Sequence, residues 1–134
     1  MDFVKIIKNI RLLLIIFCGT LFSLCCENGE PKLLFLNNIV DFGQVQVGEK
    51  VLVTFKFKNQ SNQSILINDI TYDCHCVNLH GKDLPYKVSP HSNDSLQFTL
   101  DGAEEKTGIK NINIAVRTSS DPKIQILKIK GEIQ

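Results

Sequence analysis

Apolar side chains fall on every second position from residue 51 to 57: Val51, Val53, Phe55 and Phe57 share one phase, while Thr54, Lys56 and Lys58 occupy the other. That period of two predicts a half-buried β-strand over residues 50–59, with one face dry and one wet. Gly43 and Gly48 punctuate the stretch before it, and Gly48-Glu49 turns a short piece at 45–47 into the long strand. Upstream, residues 32–36 form a short apolar strand that Asn37-Asn38 interrupts before Ile39-Val40-Asp41-Phe42.

The same alternation continues downstream. After a polar turn at 60–64, residues 65–72 predict a strand with Ile65, Ile67 and Ile70 inward. Residues 74–84 have no period and are expected to be irregular; residues 85–90 are expected to be an edge piece, because Pro85 has no N–H for an interior ladder. Leu96, Phe98 and Leu100 alternate with Ser95, Gln97 and Thr99, and Ile112, Ile114 and Val116 alternate with Asn111, Asn113 and Ala115. Between them, residues 101–108 read as a solvated loop containing Asp101, Glu104 and Glu105. In the last strand, 124–133, Ile124 and Ile126 have one parity and Leu127, Ile129 and Ile133 the other, which predicts a bulge near Leu127. Some seven or eight short strands without helical periodicity predict an all-β chain, an immunoglobulin-like antiparallel β-sandwich.

The first 25 residues follow another pattern. Lys5, Lys8 and Arg11 precede a nearly unbroken apolar run over residues 12–24. A membrane-spanning helix needs about 20 apolar residues, so this shorter run predicts a cleaved signal peptide instead. It ends in Cys25-Cys26 and the polar Glu27-Asn28-Gly29-Glu30, which resembles a bacterial lipoprotein signal. Small residues before the lipidated cysteine favour Cys26, with Cys25 as the alternative. The expected organisation is a signal at 1–25, a tether at 26–31 and a sandwich domain at 32–134, placing the protein in the bacterial cell envelope. It would be an outer-membrane lipoprotein facing the periplasm or, as the acidic tether suggests, the cell surface. Removing the three cations and one acid of the signal from a formal charge of +1 leaves the mature part at −1. A nearly neutral domain has no field to gather nucleic acid, so the membrane is reached only through the lipid and the partner is an unknown envelope protein.

Asp41-Phe42-Gly43, Val47-Gly48-Glu49, Phe55-Lys56-Phe57-Lys58-Asn59 and the Cys74-x-Cys76 after the next strand together resemble the domain-of-unknown-function family 1573 of exported Bacteroidota proteins. Further agreement comes from Val88 and Pro90, from Phe98-Thr99-Leu100-Asp101, from Gly108 with Lys110, and from Leu127, Ile129 and Gly131. The resemblance covers residues 33–134. It implies a sandwich related to major sperm protein, ASH/Hydin modules and pilus chaperones, and no established activity. The family's usual Ser-Cys-Gly-Cys-Thr is here Asp73-Cys74-His75-Cys76-Val77, and its Pro-Gly turn is Pro90-His91. Losing glycine predicts loops that bend differently from those of relatives.

Cys74, His75 and Cys76 are the one constellation with chemistry in it. In a flat strand, residues two apart lie about 6.5–7 Å apart, so a Cys74–Cys76 disulfide requires a turn or bulge and would be strained and reducible. Three readings remain open: a structural pair at the strand end, a disulfide or thiol-exchange site, and a copper or zinc site completed by His75, His80 or His91. Asp94-Ser95-Leu96 resembles a short bacterial O-glycosylation acceptor, but three residues recur by chance too easily to carry weight, and a turn leading into a strand is the reading preferred. No nucleophile has a visible base and no Gly-rich loop follows a strand, so the chain is expected not to be an enzyme and to need no cofactor. Binding or scaffolding is the expected role, with thiol-redox or metal handling through Cys74 and Cys76 as the alternative.

Overall fold

The computed structural model describes residues 6–7, 30–102 and 107–134. The expected signal peptide, Cys25, Cys26, most of the tether and the Glu104-Glu105 part of the charged loop lie outside these residues.

Nine strands form two sheets packed face to face. In chain order they are β1 (Leu33–Phe35), β2 (Ile39–Val45), β3 (Lys50–Asn59), β4 (Ile65–Tyr72), β5 (Val77–His80), β6 (Tyr86–Val88), β7 (Asn93–Asp101), β8 (Gly108–Thr118) and β9 (Ile124–Ile133). One sheet runs β1-β3-β7-β5 and the other β2-β9-β8-β4-β6. The core forms where their inner faces meet. Val53, Phe55 and Phe57 of β3 and Leu96, Phe98 and Leu100 of β7 face Ile112, Ile114 and Val116 of β8 and Leu127 and Ile129 of β9, all of them buried. Phe55 and Phe98 pack edge to face with ring centroids 5.9 Å apart. Burying each such side chain contributes roughly 1.5–3 kcal/mol, which makes the alternating phase the main determinant of the register.

Several expectations change. The region 74–84 is not wholly irregular: β5 pairs with β7, Val77 opposite Leu100. Four residues between a cysteine turn and a glycine are too few for a period to show. The sandwich is not wholly antiparallel either, because β2 runs parallel to β9. Of the described strands, the first, β1, lies in the four-stranded sheet and the next, β2, in the five-stranded one. Asn37 makes that crossing tolerable, since its side chain donates to the Thr54 carbonyl at 3.3 Å and accepts from the Lys56 N–H at 3.0 Å. It thereby satisfies the β3 edge where β1 departs.

The bulge expected near Leu127 is absent. β8 and β9 pair without interruption from Gly108 opposite Ile133 to Arg117 opposite Ile124. Irregularities fall instead in β2 between Asp41 and Gln44 and in the β4–β8 pairing between Ile67 and Asp69. Ile124 and Ile126 keep the regular phase and simply point outward, 51% and 55% exposed.

The Asp-Phe-Gly and Lys-Asn signatures have structural explanations. Asp41 accepts the Gly43 N–H at 2.9 Å and lies 3.5 Å from the Lys130 ammonium. That N–H bond chiefly, with Lys130 adding to it against a little desolvation, holds the Asp41 carboxyl below its usual range. The Phe42 ring lies on Gly131, where a Cβ would come within 2.5 Å of the ring. Asn59 is completely buried at the end of β3. Its amide donates to the Gln63 carbonyl at 2.7 Å and the Ser89 carbonyl at 3.0 Å, and its oxygen accepts the Ser61 N–H at 3.0 Å. One side chain therefore ties the β3–β4 turn to the segment after β6. Replacing it by alanine strands these groups in a dry site, so Asn59→Ala is expected to lower unfolding stability by about 3 kcal/mol. Urea unfolding measures the loss; a change below about 0.5 kcal/mol would contradict this account.

Candidate functional site

β4 ends at Tyr72, and the chain then turns through Cys74, His75 and Cys76 into β5. Asp73 fastens the entry: its carboxylate accepts the Asn113 N–H at 3.0 Å and the Asn113 amide at 2.9 Å. The exit is fastened by the Asp101 N–H, which donates to the Cys76 carbonyl at 2.8 Å, and by the pairing of Val77 with β7. Between these anchors the turn brings the cysteine Cα atoms to 5.1 Å, and the two are joined as a disulfide. That separation is inside the ordinary span for disulfides, so the flat-strand distance does not apply. Cys76 is 7% exposed, Cys74 is half-buried and His75 is exposed. The Cys76 N–H donates to the Cys74 sulfur at 3.1 Å.

The structure does not bring the histidines to the cysteines as a ligand set. His80 is exposed at the end of β5 and His91 is exposed in the β6–β7 turn. Among the described residues, no three His, Cys, Asp or Glu side chains are grouped to hold a metal ion. His91 also answers the expectation about bending: it adopts φ 52°, the left-handed conformation glycine favours. That turn bends without glycine, while His75 has no positive φ.

A second polar cluster was not legible along the chain. Asp94, at the start of β7, accepts from Lys82 at 2.7 Å, from the Tyr86 hydroxyl and from the Ser95 N–H at 2.7 Å. The Lys82 ammonium also lies 3.9 Å from the centre of the Tyr86 ring. Burial is the largest single effect on Asp94 and opposes its ionisation, but the bonds from Lys82, Tyr86 and Ser95 outweigh it and hold the carboxyl below its usual range. Burial likewise opposes charge on Lys82, yet Asp94 and Tyr86 raise it above its ordinary value. The carboxylate of the Asp94-Ser95-Leu96 tripeptide is therefore engaged in clamping the β5–β7 region. Only the folded chain joins residues 82, 86 and 94, so no local motif marked them.

The outer faces of the two sheets differ. The four-stranded sheet presents mostly polar residues, among them Thr54, Lys56, Lys58, Gln97 and Thr99, with Leu34 and Leu52 as exposed apolar exceptions. On the five-stranded sheet, Ile39, Ile109, Ile124 and Ile126 are 52%, 79%, 51% and 55% exposed. Ile126 lies opposite Ala115 and beside Ile124 on the outer face of β9, with Arg117 opposite Ile124, while Ile39 lies opposite Lys128 and so diagonal to Ile126 on the same face. Beside them a shallow groove of about 280 Å³ runs along Tyr72, Ala115 and Ile126 to Asp73, next to the cysteine turn. A larger open groove of about 690 Å³ lies at the β8–β9 end, where Arg117 and Lys123 flank Ile124.

Two sheets of this order, with the first two described strands in different sheets, define an immunoglobulin-like β-sandwich. The chain belongs to the DUF1573 family, described as proteins of unknown function, whose pattern residues 33–133 match. Among solved structures, a protein of unknown function from Porphyromonas gingivalis W83 superposes with a TM-score of 0.65 at 16% identity, over 83% of this chain and 50% of that one. The secreted serine protease VesC from Vibrio cholerae matches with a TM-score of 0.55 at 11% identity, over 75% of this chain and 23% of the protease. The ASH/PapD-like domain of human CEP192 matches with a TM-score of 0.53 at 8% identity, over 84% of this chain and 92% of that domain. These likenesses establish the fold alone, and the chain spans about half the length of the P. gingivalis protein. No curated protein sequence matches it.

The clamp makes stability depend on pH in a defined sense. Because the folded Asp94 carboxyl sits below its unfolded value, its contribution is complete above about pH 4–5 and disappears as pH falls through the folded value. Lys82 contributes below about pH 10 and ceases to do so as pH rises through its raised value. Asp94→Asn is expected to cost about 1 kcal/mol near neutral pH, discounted for partial exposure. The gap from wild type should close at acid pH. Thermal unfolding of both forms between pH 2 and 8 checks this, and a pH-independent gap would remove the ionised carboxylate from the account.

Proposed function

We propose that this protein is a lipid-anchored binding or scaffolding module of the bacterial cell envelope, working by capture of a protein partner rather than by catalysis. Cys26, or alternatively Cys25, carries the lipid, and the polar tether lets the sandwich stand off an outer-membrane surface facing the periplasm or the exterior. The observation that carries the binding role is the apolar surface of Ile39, Ile124, Ile126 and Ala115 on the five-stranded sheet, where water meets side chains that a partner would cover. The shallow groove along Tyr72 extends that surface.

Two measurements on the full chain test the two halves of this reading. Replacing both Cys25 and Cys26 by serine should move the protein from the membrane to the soluble fraction and abolish incorporation of labelled fatty acid; unchanged membrane association and unchanged labelling would sink the anchor. Ile124→Asp with Ile126→Asp should reduce cross-linked hetero-complexes in intact cells at least tenfold while the melting temperature stays within a few degrees. Undiminished cross-linking with a folded variant would remove this face as the site of capture.

A further inference from the structure

We propose that the Cys74–Cys76 disulfide is a thiol–disulfide exchange site, with Cys74 as the sulfur that bonds to an external thiol and Cys76 as the resolving sulfur. This goes beyond partner capture and does not depend on it. The exchange is stoichiometric, two electrons per chain, with a dithiol or a pair of protein thiols as co-reactant.

Three observations converge on it. The first is asymmetry of access: Cys76 is 7% exposed and Cys74 half-buried at the turn, so an incoming thiolate meets Cys74 first. The second is the Cys76 N–H aimed at the Cys74 sulfur from 3.1 Å. A donor there lowers the free energy of negative charge on that sulfur, so Cys74 is both a stabilised thiolate when reduced and a good leaving group when a mixed disulfide resolves. The third is economy of purpose. A bridge between residues two apart closes a very short loop and restrains the unfolded chain little, while β5 is already held by its pairing with β7 and by the Asp101 N–H on the Cys76 carbonyl. The resolving sulfur therefore stays anchored when the bond opens.

An external thiolate attacks the Cys74 sulfur, forming a mixed disulfide while the Cys74–Cys76 bond breaks and Cys76 departs as a thiolate that takes up a proton. A second external thiolate attacks the external sulfur of that mixed disulfide, releasing Cys74 as a thiolate. The external pair leaves oxidised and the protein has gained two electrons. In the reverse direction the Cys74 thiolate attacks an external disulfide, and Cys76 then displaces the product from Cys74.

Glutathione is the probe. In the full chain, reduced glutathione in millimolar excess at neutral pH should open the Cys74–Cys76 bond without denaturant, and oxidised glutathione should restore it. The melting transition should persist in both states. Peptide mass mapping reads the result, separating these sulfurs from Cys18, Cys25 and Cys26. Cys76→Ser, exposed to oxidised glutathione, should accumulate an adduct on Cys74 at least tenfold faster than Cys74→Ser accumulates one on Cys76. Equal rates in the two folded variants would overturn the assignment of roles. A wild-type bond that withstands reduced glutathione until urea is added would overturn the exchange site itself and leave a structural bridge; this measurement decides the question even where a variant fails to fold.

Discussion

A single buried amide sets the conditions under which this sandwich closes. β3 is central to the four-stranded sheet and ends inside the molecule at Asn59, where a chain terminus of a strand would ordinarily leave polar groups without water. Asn59 supplies the missing partners, bonding to Gln63, Ser89 and Ser61, while its own N–H donates to the Ser92 carbonyl at 2.9 Å. Two turns thereby converge on one side chain. It closes off one end of the β3–β7 pairing, which runs from Lys50–Asp101 to Lys58–Asn93 in the register that buries Phe55, Phe57 and Phe98.

The two outer faces are then free to differ, because neither enters the core. Lys56 and Lys58 project from the four-stranded sheet into water. On the other sheet, Ile124 and Ile126 occupy the equivalent solvent-facing phase of β9, alternating with buried Leu127 and Ile129. The inner isoleucines hold the fold, whereas the outer ones contribute nothing visible to it. The apolar side chains on this face continue into the groove at Tyr72, toward the cysteine turn.

The polar chemistry lies at the sandwich's margins and divides into two jobs. Around Asp94 every strong group is spoken for: Lys82, Tyr86 and the Ser95 N–H all converge on one carboxylate, which is a clamp. At Cys74–Cys76 the backbone carries the restraint through Asp73, Asp101 and the β5–β7 pairing, and the sulfur bond is added to a turn that already has anchors. The Asp94 cluster thus restrains the fold through side chains, and the cysteine turn through its backbone. His75 and the family's displaced glycine do not alter this, since the left-handed turn residue is His91 and lies elsewhere.

Most strands were legible locally because alternation is a local property: a period of two in residues 50–59, 95–100 and 111–116 leaves one dry face whatever it packs against. The family signature and the cysteine pair were equally readable, each being a short contiguous motif. What lay beyond the sequence depends on contacts across the sheets. β5 is too short to show a period and is defined by its pairing with β7; the parallel β2–β9 pair joins segments nearly ninety residues apart. The apparent slip at Leu127 could not be told from a bulge until β8 fixed the register and left Ile124 and Ile126 facing water. Likewise Lys82, Tyr86 and Asp94 become a cluster only after two turns fold back. Amino-acid order determined which residues would seek burial and where the chain would bend, whereas tertiary structure decided which polar groups met and which apolar ones were left outside, because those outcomes depend on partners distant in the chain.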